Sequence, residues 1–71
     1  MTAEQFAKEV SDIAGGRYAS ARVTIGINGA RHEWYAFVMV GDDGIGVSSP
    51  NAKRCLTKFR KALAARERGA K

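Results

Sequence analysis

The 71 residues carry twelve Lys and Arg against seven Asp and Glu, a formal net charge of +5. A chain this short forms one domain, residues 1–71, and buries only about 60% of the surface its unfolded form exposes. Its single cysteine, Cys55, rules out an internal disulfide framework, and no stretch approaches the ~20 apolar residues that span a bilayer.

The first element is a helix. Thr2-Ala3-Glu4-Gln5 has the spacing of a capping box, with Thr2 as N-cap and Gln5 reaching back. Ala3, Phe6, Ala7, Val10, Ile13 and Ala14 form an apolar stripe at helical spacing, and Gly15-Gly16 ends it. A strand is expected from Arg17 to Ile27. Ala19, Ala21, Val23, Ile25 and Ile27 alternate with Tyr18, Ser20, Arg22, Thr24 and Gly26, so the odd positions face the core. Asn28-Gly29 signals a hairpin, because both residues tolerate positive φ.

The second strand runs from His32 to Val40. A two-residue turn at Asn28-Gly29 sets Val23 opposite Trp34 and Ala21 opposite Ala36. A four-residue loop preserves that parity and an odd loop inverts it. The core face of this strand is then Trp34, Ala36, Val38 and Val40. Asp42-Asp43-Gly44 is read as a second turn rather than a metal site, and Ile45-Gly46-Val47 as a short third strand. The last helix opens with Ser49 as N-cap and Pro50 at the first helical position. Ala52, Cys55, Leu56, Phe59 and Leu63 make its apolar stripe, and Ala64 to Lys71 is expected to fray. Cys55 is expected as a small buried residue of that stripe.

The fold class expected is α+β: a two-layer α-β-β-β-α chain whose three-stranded antiparallel sheet carries both helices on one face. Charge divides sharply along it. Residues 53–71 hold eight bases and one acid, +7, whereas residues 1–52 hold four bases and six acids, −2. A basic segment on a mildly acidic body favours an anionic partner. The alternative is a solvated helix face that keeps the chain in solution. The N-terminal acids and the lone thiol read as a cytoplasmic chain without a secretory signal. No cofactor and no metal are expected, since neither zinc spacing nor a Gly-Lys-Ser/Thr phosphate loop is present.

Gly29-Ala30-Arg31-His32, the even-spaced Ala36, Val38 and Val40, Gly44-Ile45-Gly46, and Ser48-Ser49-Pro50-Asn51-Ala52-Lys53 follow one another as in a double-stranded RNA-binding domain, and from Gly29 onward the chain resembles that family. The resemblance implies that the domain reads A-form geometry rather than sequence, through the first helix, the first hairpin loop and the start of the last helix. It assigns phosphate and groove contacts to Asn28, Arg31, His32 and Lys53. Charge and face add Arg54 and Lys58, and a helix N-terminus presenting free N–H groups adds Ser49. The family's paired lysines correspond here to Ser49 and Pro50. The exposed side of the first helix carries Glu4, Glu9 and Asp12 beside Lys8.

Two further readings stand beside this one. His32, the sole histidine, gives a weaker resemblance to HicA-type mRNA interferases, in which a histidine performs RNA cleavage. Tyr18, Arg22, Tyr35, Phe37 and Met39 share the sheet face that neither helix covers. Such a face suits base stacking, a homodimer, or a protein or ribonucleoprotein partner. The last parallels phage-encoded inhibitors of host defence such as anti-CRISPR proteins. A bulge that rotates some of these side chains into the core is the competing structural reading.

Overall fold

The computed structural model describes residues 1–26 and 32–69. Helix α1 spans Ala3–Ala14, strands β1, β2 and β3 span Ala19–Ile25, His32–Val40 and Asp43–Ser49, and helix α2 spans Ala52–Gly69. The strands form one antiparallel sheet in the order β1-β2-β3.

Local chemistry sets most boundaries. The capping box is complete: the Thr2 amide donates to Gln5 Oε1 at 2.9 Å and the Gln5 amide donates to Thr2 Oγ1 at 3.1 Å. Gly15 closes α1 in the left-handed conformation at φ 62°, and its amide donates to the Ser11 carbonyl. The helix-closing turn continues to Arg17, whose amide and guanidinium both donate to the Ala14 carbonyl. This is why β1 starts at Ala19, two residues later than the alternation alone suggests.

The register follows the expected parity, with Val23 opposite Trp34 and Ala21 opposite Ala36. The loop that connects these strands, with Asn28 and Arg31, lies outside the described residues. The second hairpin corrects the sequence reading. Val40 pairs directly with Asp43, so the turn is Gly41-Asp42, with Gly41 at φ 64°. Positive φ at the first turn residue matches the right-handed strand twist. Asp43 and Gly44 thus belong to β3, which extends to Ser49.

Alternation places Ala36 and Val38 under the helices, where both are fully buried. Phe6, Val10 and Ala14 of α1 meet them, together with Ala52, Cys55, Leu56, Phe59 and Leu63 of α2. Burying each large apolar side chain contributes about 1.5–3 kcal/mol. Trp34 completes the layer edge-on to Phe6, with ring centroids 5.1 Å apart. Ile25 departs from the pattern. It lies on the helix side of β1, yet it is 62% exposed, because it sits opposite exposed His32 at the end of the ladder.

The start of α2 is a second correction. Ser49 does not cap the helix. It is drawn into β3 by pairing with Trp34 and is buried. Asn51 is the cap: its Oδ1 accepts from the Arg54 amide at 3.0 Å, and its carbonyl accepts from the Cys55 amide. Ser49 Oγ accepts from the Asn51 amide at 3.2 Å and so holds the cap in place. The far end of α2 does not fray after Leu63. It remains helical to Gly69, tied by Arg66 to Asp43 and by Glu67 to Arg17.

Candidate nucleic-acid interface

The two helices run side by side with both N-termini at the β1–β2 hairpin end of the sheet. Phe6 packs on Trp34 there, and Met1, Trp34, Pro50, Asn51, Ala52 and Lys53 surround a shallow depression of about 420 Å³. His32 stacks on Trp34 at the same end, with ring centroids 6.0 Å apart and planes 19° apart. The fold therefore brings Lys53 and His32, both exposed, to one end. Both helix dipoles present their positive poles to that end. Asn28 and Arg31 lie outside the described residues. Ser49, being buried and engaged with Asn51, is not a surface ligand.

The charge of α2 is sorted by position around its axis. At 100° per residue, Arg54, Lys58, Lys61 and Arg68 fall within about 40° of one direction, roughly 150° from the centre of the apolar stripe. They form a solvent-facing line about 21 Å long. Of the three remaining bases of the helix, Lys53 lies at its start, and Arg60 and Arg66 sit on the flanks beside acids. Arg60 reaches Glu9 of α1 at 3.6 Å, and Arg66 reaches Asp43 of β3. The only acid of the helix, Glu67, is held by Arg17 at 2.7 Å. Among the described residues no carboxylate pairs with Arg54, Lys58, Lys61 or Arg68. Sequence reasoning singled out Arg54 and Lys58 but missed Lys61 and Arg68. Their i+3 and i+4 spacing was the available signal.

Lys58 has a second contact. Its Nζ donates to the Ser48 carbonyl at 2.9 Å, so the side chain bends from the helix across the rim of β3.

The opposite face of the sheet carries Tyr18, Arg22, Tyr35, Phe37 and Met39, and no described residue covers it. Two glycines of β3 shape it. A Cβ on Gly44 would lie 2.6 Å from the Phe37 ring, and a Cβ on Gly46 would lie 2.6 Å from the Tyr35 hydroxyl. The two rings therefore lean diagonally across β3 into space that only glycine leaves open. Tyr18, 70% exposed, meets Phe37 edge-on with centroids 6.5 Å apart. The Arg22 guanidinium lies 4.8 Å from the Tyr35 ring centroid. Glu33 shares this face at its hairpin end.

Cys55 is buried, with Sγ 3.3 Å from the Trp34 carbonyl. Desolvation pushes its thiol above the usual value, and the nearby Lys58 charge partly opposes that. It is a protonated packing group at neutral pH. No group of three His, Cys, Asp or Glu side chains among the described residues is arranged to hold a metal ion, and no described helix is long and apolar enough to cross a membrane.

Compared with protein-family models, curated proteins and solved structures, the chain matches none of them.

Proposed function

We propose that the chain is a small, non-enzymatic nucleic-acid-binding module that grips phosphates along the solvent face of α2. One observation carries this reading. Among the described residues, four bases that meet no carboxylate, Arg54, Lys58, Lys61 and Arg68, share a single acid-free line on α2, while Glu9, Asp43 and Glu67 pair with Arg60, Arg66 and Arg17 away from it. A solvated helix gains nothing from such sorting, whereas a polyanion does. Lys53 and His32, beside the positive poles of two helices, extend the line at the hairpin end. This is where the resemblance to double-stranded RNA-binding domains puts phosphate contact. Exposed cations without base-reading geometry imply binding without sequence preference. The test is fluorescence anisotropy with labelled duplex RNA, duplex DNA and single-stranded RNA at low salt. A rise in anisotropy that Lys61→Ala and Arg54→Ala weaken supports the proposal. No change with any of the three probes at 50 mM salt or below refutes it.

The open sheet face supports a second reading, contact with a protein or ribonucleoprotein as in a phage-encoded inhibitor of host defence. The specific observation is the pair of aromatic rings laid over Gly44 and Gly46 beside Arg22. Side chains of this composition are enriched at interface centres. A pull-down with and without nuclease separates the readings. A captured protein that survives nuclease, and is lost in Tyr35→Ala and Phe37→Ala but kept in Lys61→Ala, favours the sheet face.

A further inference from the structure

The two edges of the sheet differ in a way the ladder geometry makes explicit. The Met39 amide donates to the Tyr18 carbonyl at 2.9 Å, which makes Tyr18 and Met39 a hydrogen-bonded antiparallel pair. Such pairs alternate along the ladder. Ser20, Arg22 and Thr24 therefore bond inward to β2, and Ala19, Ala21, Val23 and Ile25 turn their amides and carbonyls outward. By the same alternation, the outward groups of β3 belong to Gly44, Gly46 and Ser48.

The β3 edge is guarded. Lys58 occupies the outward Ser48 carbonyl, and Arg66 grips Asp43 at the other end of the strand. Lysine at an edge is a common device against strand addition. The β1 edge has no such guard. No hydrogen bond among the described residues uses its outward amides or carbonyls, and it has neither proline nor lysine. Of the large apolar side chains left most exposed, Ile25 lies on β1 and Tyr18 immediately precedes it.

We propose that β1 pairs antiparallel with β1 of a second copy of this chain, joining two sheets into one six-stranded sheet across a two-fold axis. The strand is self-complementary. The residues with outward backbone groups are all apolar, and their side chains lie on the helix side. With Val23 on the axis, Ile25 faces the partner's Ala21, a large side chain over a small one. Arg22, the only charge of β1, then faces the partner's Thr24 rather than its own copy, which avoids like charges in direct opposition. The exposed Ile25 gains cover that its own chain does not provide. A strand-to-strand contact is small beside a standard interface, so the dimer is a weak one.

The test combines sedimentation velocity with amide hydrogen exchange on the unmodified chain, from about 1 μM to 1 mM. The expected mass rises from 7.7 kDa toward twice that value with concentration. The Ala21, Val23 and Ile25 amides become protected in parallel, while those of Ser20, Arg22 and Thr24 are protected throughout. Val23→Pro removes one outward donor and no internal ladder bond, and it keeps the chain monomeric. A chain that stays monomeric to 1 mM with those three amides unprotected overturns the proposal. So does a dimer that Tyr35→Ala and Phe37→Ala abolish and Val23→Pro does not. Exchange is read on the unmodified chain, so the test stands even where Val23→Pro fails to fold.

Discussion

If the line on α2 is the phosphate-binding surface, the salt dependence of binding counts its members. Four cations that each neutralise one phosphate of duplex DNA give a slope of about −3.6 in log K against log salt, from about −0.9 per contact. Raising salt from 50 to 200 mM then weakens binding about 150-fold. Lys61→Ala removes one contact, and the slope falls to about −2.7, a loss of about 40-fold over the same range. Lys61→Ala with Arg68→Ala brings it to about −1.8. Arg60→Ala and Arg66→Ala are the controls. Each removes one positive charge, but from a flank where Glu9 or Asp43 already opposes it, so the slope stays near its original value. Anisotropy of a fluorescein-labelled 20-base-pair duplex at four salt concentrations measures all of these. Equal slopes for the Lys61 and Arg60 variants would mean that net charge, not the line, governs binding, and the assignment of the surface would fall.

Three other outcomes follow from the packing. Asn51→Ala removes the cap of α2 and costs about 1 kcal/mol, which lowers the melting temperature by roughly 4–8 °C in a domain of this size; no change in melting would return the cap to another residue. Gly44→Ala places a Cβ against the Phe37 ring, so it destabilises the wild-type chain. In a Phe37→Ala background it becomes neutral or stabilising, since alanine recovers about 0.5–1 kcal/mol of backbone entropy; a cost that persists in both backgrounds would show that the ring is not the obstacle. The raised thiol of Cys55 makes stability depend on pH above the ordinary value of 9.0. There the unfolded thiol ionises while the folded one keeps its proton, so the contribution is whole below that value and is lost as pH rises. Urea unfolding at pH 8 and pH 10 should show a loss in the wild type that Cys55→Ala lacks, and equal losses in both would assign the effect to other groups.

The fold was legible because its signals are local and redundant. The capping box, the two glycines after Ala14 and the period-two alternation each fix a boundary or a face within a few residues. Parity across the first hairpin followed from the core alternation of both strands, without the loop conformation. The errors arose where a distant partner overrides a local signal. Ser49 before Pro50 has the sequence of a helix cap, but pairing with Trp34 extends β3 through Ser49, and the cap moves to Asn51. The end of α2 has no large apolar side chain after Leu63 to anchor it, yet Asp43 and Arg17, far away in the chain, hold Arg66 and Glu67. The same limit applies to the site. Membership of the open face follows from parity alone. That its rings lie over Gly44 and Gly46 depends on diagonal side-chain directions, which period-two reasoning does not specify.

Lys58 explains why charge and aromatic composition point to two surfaces on one small domain. The line on α2 faces away from the sheet, and the aromatic face lies beyond it, so the full thickness of both layers separates them. Lys58 bends from the helix to the β3 edge between them, where its Nζ donates to the Ser48 carbonyl. Ser48 is the cross-strand neighbour of Tyr35, and the Arg22 guanidinium lies over the Tyr35 ring. Tyr35 thus carries one cation, Arg22 of β1, over its ring, on a face whose own described strands supply a single base and a single acid. The edge that Lys58 closes to strand addition is that of β3, the strand over which the Phe37 and Tyr35 rings lean. The opposite edge, β1, is left free for pairing, and self-association there would leave both surfaces uncovered.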